Sequence, residues 1–68
     1  MQFISNLKQH REERGYSQRE LAELVGISRN SISSIERGEY IPSLYHAYKI
    51  SEILSVSIQE LFRFEVKE

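Results

Sequence analysis

Sixty-eight residues suffice for one domain, and folding at that size hides only about 60% of the unfolded surface, so the fold is marginal without a prop. The chain has no Cys, which excludes disulfides and thiolate metal sites and leaves self-association as the available prop. A formal net charge of −1 is not the basic balance of a nucleic-acid binder, so any such role must rest on where the charges stand. All ten acids are Glu. From Met1 to Lys49 seven Lys and Arg oppose six Glu, and from Ile50 to Glu68 two oppose four, so the acids lean toward the C-terminal end. There is no apolar run of about eighteen residues and no signal-peptide layout, which leads us to expect a cytoplasmic protein without a membrane partner.

Met1–Ile4 is short and apolar, with Phe3 and Ile4 adjacent, and reads at this point either as an edge strand awaiting a partner or as a disordered tail. Ser5 or Asn6 caps a first helix that runs to about Arg14 and stops at Gly15. Its inward stripe is Ile4, Leu7, Arg11 and Arg14, and a charge there requires a partner. Ser17 and Glu20 form a capping box for the next helix, with Tyr16 stapled to Leu21. Leu21, Leu24 and Val25 give that helix its inward side, Ala22 allows close approach of a neighbour, and Gly26 ends it.

Ser28 caps the third helix, and Ile27 and Ile32 form a second staple. Ile32, Ile35 and Glu36 point to one side of it. Arg29, Asn30, Ser33, Ser34 and Arg37 point to the other, a face of donors and acceptors without Asp or Glu. Such a face enters a major groove without repelling phosphates, and its side chains suit base edges. Glu36, like Arg11, is a charge on an inward stripe, and an Arg11–Glu36 ion pair is the expected resolution.

Gly38 ends the third helix, and Glu39–Pro42 is a loop. Ser43 caps a fourth helix with Leu44, Ala47, Tyr48, Ile50, Ser51 and Leu54 on its buried side. Ser57 and Glu60 form a second capping box for a short fifth helix, with Val56 stapled to Leu61. Phe62–Lys67 alternates apolar and charged residues, the period of a half-buried strand, and its available partner is Met1–Ile4. Phe62, Phe64 and Val66 then form one apolar face that a chain this short can hardly cover. Together with Ile58, Leu61 and Ile41 they are the expected dimer surface.

Gln18, Ala22, Gly26, Ile32 and Ile35 resemble the helix-turn-helix pattern of the Cro and phage-repressor family, here spanning 18–37. Ile35–Gly38 (IERG) and Tyr40–Leu44 (YIPSL) are similar too, and the likeness runs from Leu7 to Phe62. It implies an all-α, five-helix lambda-repressor-like domain over 1–68. The terminal β-ribbon looks like that of short stand-alone regulators of the cytolysin-operon repressor type. It further implies a homodimeric regulator, repressor rather than activator, on pseudo-palindromic double-stranded DNA. Gln18 and Arg19 would stand by the backbone, Gln18 also reaching a base. Arg29, Asn30, Ser33 and Ser34 would read the bases, Ser28 would stand among the DNA contacts, and Arg37 would meet the phosphates. The family's loop after the third helix follows the backbone with cations. Here Arg37 is the one cation nearby, and Glu39 has the opposite sign.

His10 and His46 stand on different helices without Cys or Asp, and no phosphate loop or paired apolar carboxylates occur, so no enzyme, cofactor, metal or small-molecule ligand is expected. The alternative class is a protein-binding module such as an antitoxin. It would carry an added segment to wrap its partner, and the tail after the fifth helix is short.

Overall fold

The computed structural model describes residues 1–66. In chain order it has β1 (Gln2–Ser5), α1 (Leu7–Glu13), α2 (Gln18–Val25), α3 (Arg29–Glu36), α4 (Leu44–Leu54), α5 (Ile58–Leu61) and β2 (Phe62–Glu65). Both capping boxes form: Ser17 and Ser57 accept from the backbone N–H of Glu20 and Glu60, whose carboxylates accept from the serine N–H in return. Ser28 and Ser43 cap α3 and α4. Asn6 is the N-cap of α1 but its side chain makes no cap; Ser5 Oγ accepts from Leu7 N at 3.3 Å instead. Gly26 takes φ 89°, a left-handed turn that sends α3 back across α2.

The core is one cluster in which Leu7, Leu21, Val25, Ile32, Ile35, Ile50, Leu54 and Leu61 are shielded almost completely. α2 packs on α3 and α4, α1 on α3, and α5 on α4 and β2. The ribbon joins the two ends of the chain antiparallel, with Phe3 opposite Phe64 and Ser5 opposite Phe62. Phe3 stacks near both Phe62 and Phe64, with ring centroids 5.7 and 5.5 Å away. The strands cover 2–5 and 62–65 rather than 1–4 and 62–67, and the expected end at Lys67 lies outside the described residues.

Several expected inward residues face out. Leu24, Leu44 and Tyr48 are exposed, Leu44 by 80%. In α2 the buried arc is centred between Leu21, Ala22 and Val25, and Leu24 lies roughly 100° of rotation from it. Tyr48 lies off the Ala47–Ile50–Ser51–Leu54 arc for the same reason, and Leu44 is in the first turn of α4, where its own chain does not cover it. Arg14 is exposed because α1 ends at Glu13. Leu61 was expected at a dimer surface, but it is 0% exposed: α5 is a single turn leading straight into β2, which directs Leu61 into the core. Phe62 is also buried, under Phe3, which leaves Phe64 and Val66 as the exposed apolar residues of that end.

Candidate nucleic-acid interface

The outer face of α3 is set by what holds its inner face. Arg11 on α1 reaches Glu36 with Nε to Oε2 at 2.5 Å and Nη2 to Oε1 at 3.3 Å. The Arg11 Nη1 donates to the carbonyl of Tyr16 at 2.8 Å. The Glu36 side chain is 4% exposed, so this is a buried pair. Gln18, the first residue of α2, donates its Nε2 to Glu36 Oε1 at 2.9 Å. One carboxylate therefore ties α1, α2 and α3 together, and no buried side-chain polar atom among the described residues lacks a partner. Burying charges costs desolvation energy, so the network's contribution is chiefly to fix how α3 sits.

With Ile32 and Ile35 buried, the opposite face of α3 is presented to solvent. Arg29 and Asn30 are exposed, while Ser33 and Ser34 are half-buried. On one flank a shallow cleft is lined by Arg11, Ser17, Gln18, Arg19 and Arg29, which joins the start of α2 to the start of α3 with cations. On the other flank a second cleft is lined by Asn30, Ser31, Ser34, Glu39 and Tyr40. Ser28 is occupied as the cap, accepting from Ser31 N at 3.0 Å, and its hydroxyl also meets that of Ser31.

The structure brings Gln18, Arg19, Arg29, Asn30, Ser33, Ser34 and Arg37 to this one side. Two of them are already engaged. Gln18 has spent one amide N–H on Glu36, leaving its Oε1 and second N–H. Arg37, expected as a free cation for phosphates, donates to Ser33 Oγ, to Ser34 Oγ at 3.4 Å and to Glu39 Oε1 at 3.1 Å. Glu39 and Tyr40 are the residues that sequence reasoning left out of the face. The available signal was an Arg and a Glu two apart across a helix end, which brings them to one rim.

Away from this face, Phe3, Ile41, Leu44, Ile58 and Phe64 line an apolar groove between the ribbon, the loop before α4 and α5. Ile41 and Phe64 are about half exposed there, and Val66, on the same strand end, is more exposed still. His10 lies 3.7 Å from Glu13, and His46 beside Tyr45, so the two histidines share no site. Among the described residues no helix is long and apolar enough to cross a membrane, and no three His, Asp or Glu cluster as metal ligands would.

The helix-turn-helix family model matches residues 7–61. The HTH-type transcriptional regulator YgzD of Bacillus subtilis is 39% identical over 61 residues, covering 90% of this chain and 92% of that one. SinR of B. subtilis is 45% identical over 56 residues, 81% of this chain and half of SinR. The crystal structure of SinR in complex with DNA superposes at a TM-score of 0.71 with 44% identity, covering 78% of this chain and 86% of that one. The restriction-modification controller protein C.AhdI from Aeromonas hydrophila superposes at 0.72 with 33% identity, covering 79% and 82%.

Proposed function

The chain belongs to the helix-turn-helix family of transcription regulators, and on that premise we propose that it is a sequence-specific binder of double-stranded DNA, a cytoplasmic repressor acting as a homodimer. In this reading residues 1–68 form a single lambda-repressor-like DNA-binding domain. The observation that carries it is the outer face of α3: Arg29, Asn30, Ser33 and Ser34 stand opposite the buried Ile32 and Ile35, on a helix whose angle is fixed by Glu36. Likeness to SinR, solved with DNA, supports the same reading.

In this reading Arg29, in the first turn of α3, forks onto guanine O6 and N7, and Asn30 onto adenine N6 and N7. Arg19 and the free atoms of Gln18 meet the phosphate backbone from the basic cleft, with Ser28 at the same end of the helix. A single reading helix offers few contacts. Two copies on a twofold axis would place two such helices in successive major grooves, about 34 Å apart. The exposed apolar groove supports pairing, with Ile41, Leu44, Ile58 and Phe64 of its lining as contacts and the exposed Val66 added to them.

Selection of bound sequences from a random duplex pool tests this directly. The expected product is a short inverted repeat with half-sites one helical turn apart. Failure to enrich any sequence would refute sequence-specific binding, and enrichment of a single half-site would refute the dimer.

A further inference from the structure

We infer that Glu39 is a positioning residue for sequence recognition, acting through Arg37; the inference rests on the DNA-binding reading above. Arg37 closes α3 and lays its guanidinium across Ser33 and Ser34, and Glu39, two residues on, accepts from Nη2, the nitrogen that also serves Ser34, at 3.1 Å. Arg37 and Glu39 are both more than half exposed, so packing does not force this arrangement. It is held by the fit of one planar fork to two hydroxyls and a carboxylate.

Two consequences follow from the geometry. The guanidinium fills a lone pair on each serine oxygen, so the hydroxyl hydrogens of Ser33 and Ser34 are turned away from Arg37 as donors. Donors suit acceptor edges in the major groove, namely purine N7, guanine O6 and thymine O4. The charge of Arg37 is also cancelled at the rim of the face. A free arginine there would bind any phosphate and add affinity for every sequence alike. Held by Glu39, it organises two readers instead. Glu39 also lines the cleft that contains Asn30 and Ser34, so its carboxylate stands at the reading surface itself.

The test is Glu39→Gln alone and combined with Arg37→Ala, each titrated against the selected site and against random duplex over a salt series. Freeing one cation for phosphate should raise affinity for random duplex about fivefold near 0.15 M salt and steepen the log–log salt slope by about 0.9. Affinity for the selected site should rise less, because Ser33 and Ser34 lose their alignment, and discrimination should fall. In the Arg37→Ala background Glu39→Gln should change affinity less than about twofold. Equal gains in both backgrounds would show simple repulsion of phosphate by Glu39 and overturn the inference. So would no gain in the unsubstituted background, or the same gain on both duplexes. A wild-type chain that binds no duplex at low salt would overturn the proposed function itself, an outcome separate from these.

Discussion

Around α3 every buried charge has its partner, whereas at the ribbon end large apolar side chains stand partly uncovered. Glu36 accepts from Arg11 twice and from Gln18 once, and Arg11 spends a further donor on Tyr16. At the opposite end Ile41, Leu44, Phe64 and Val66 are exposed, and the first three line a groove. The first region is complete within one chain and serves to hold a polar face still. The second is a surface whose free energy falls when another apolar surface covers it, at roughly 25 cal/mol per Å² hidden. Precision is supplied internally, and the proposed self-association is where extra stability would come from.

The largest effect should come from breaking the complete region. Glu36→Ala strands a buried guanidinium and should cost about 3–5 kcal/mol. A chain of 68 residues holds only about 3–10 kcal/mol in total, so urea titration should find much of the variant unfolded. Arg11→Met with Glu36→Leu should regain stability and lose specificity, because Gln18 then has no carboxylate to hold it. A coupling below about 0.5 kcal/mol in the double-mutant cycle would contradict this account of the pair.

The incomplete region should respond differently. Phe64→Asp, on an exposed ribbon position, should leave the fold intact and destroy the proposed self-association. Operator affinity should fall by about 2 kcal/mol or more, the loss typical of a central interface residue. Sedimentation should then show monomers where the parent gives dimers. A parent chain that is monomeric at micromolar concentration would contradict the role given to this surface.

How far the sequence was readable follows the same division. The segment from Ser17 to Glu36 was legible because its signals are local: two caps, a left-handed glycine, and apolar residues three and four apart. The pairing of the termini was legible from alternation in Phe62–Glu65 and the lack of another partner. Burial near element ends was not. Leu61 and Leu44 both carry the apolar signature, yet one is enclosed and the other open, because their surroundings come from distant segments. The bonds of Gln18 to Glu36 and of Arg37 to Glu39 were hidden for a related reason. Both residues suit DNA by type, and the three-dimensional arrangement shows what they already hold, although the spacing of Arg37 and Glu39 across a helix end was a local signal for the second bond.

Within the polar face, Arg29→Ala should weaken the selected site by about 1–3 kcal/mol and relax one base position. Arg19→Ala should weaken all sequences by a similar factor and lower the salt slope by about one unit. Parallel losses for both variants on selected and random duplex would erase the distinction between reader and anchor.

The smallest effect compares the two regions through the one device they share. Glu20 in α2 and Glu60 in α5 both complete capping boxes, and both have pKa values held below the ordinary glutamate value. The chief cause is the backbone N–H of Ser17 or Ser57 donating to the carboxylate, followed by the serine hydroxyl, with slight desolvation opposing. Glu60 is lowered further by the charge of His10. A carboxyl with a folded pKa below its unfolded one contributes stability above the unfolded value and loses it as pH falls through the folded value. The thermal midpoint should therefore decline on acidification from the ordinary glutamate range downward, and Glu20→Gln or Glu60→Gln should each make that decline shallower. Both carboxylates are fully exposed, so the changes are small and should shrink with added salt. α2 carries Gln18 and the reading hairpin, whereas α5 carries the ribbon. Acid should thus loosen both ends through the same chemistry, but Glu20→Gln should affect DNA binding and Glu60→Gln the dimer. If midpoints over pH 3–7 decline with the same slope in parent and double variant, the boxes do not set the acid response.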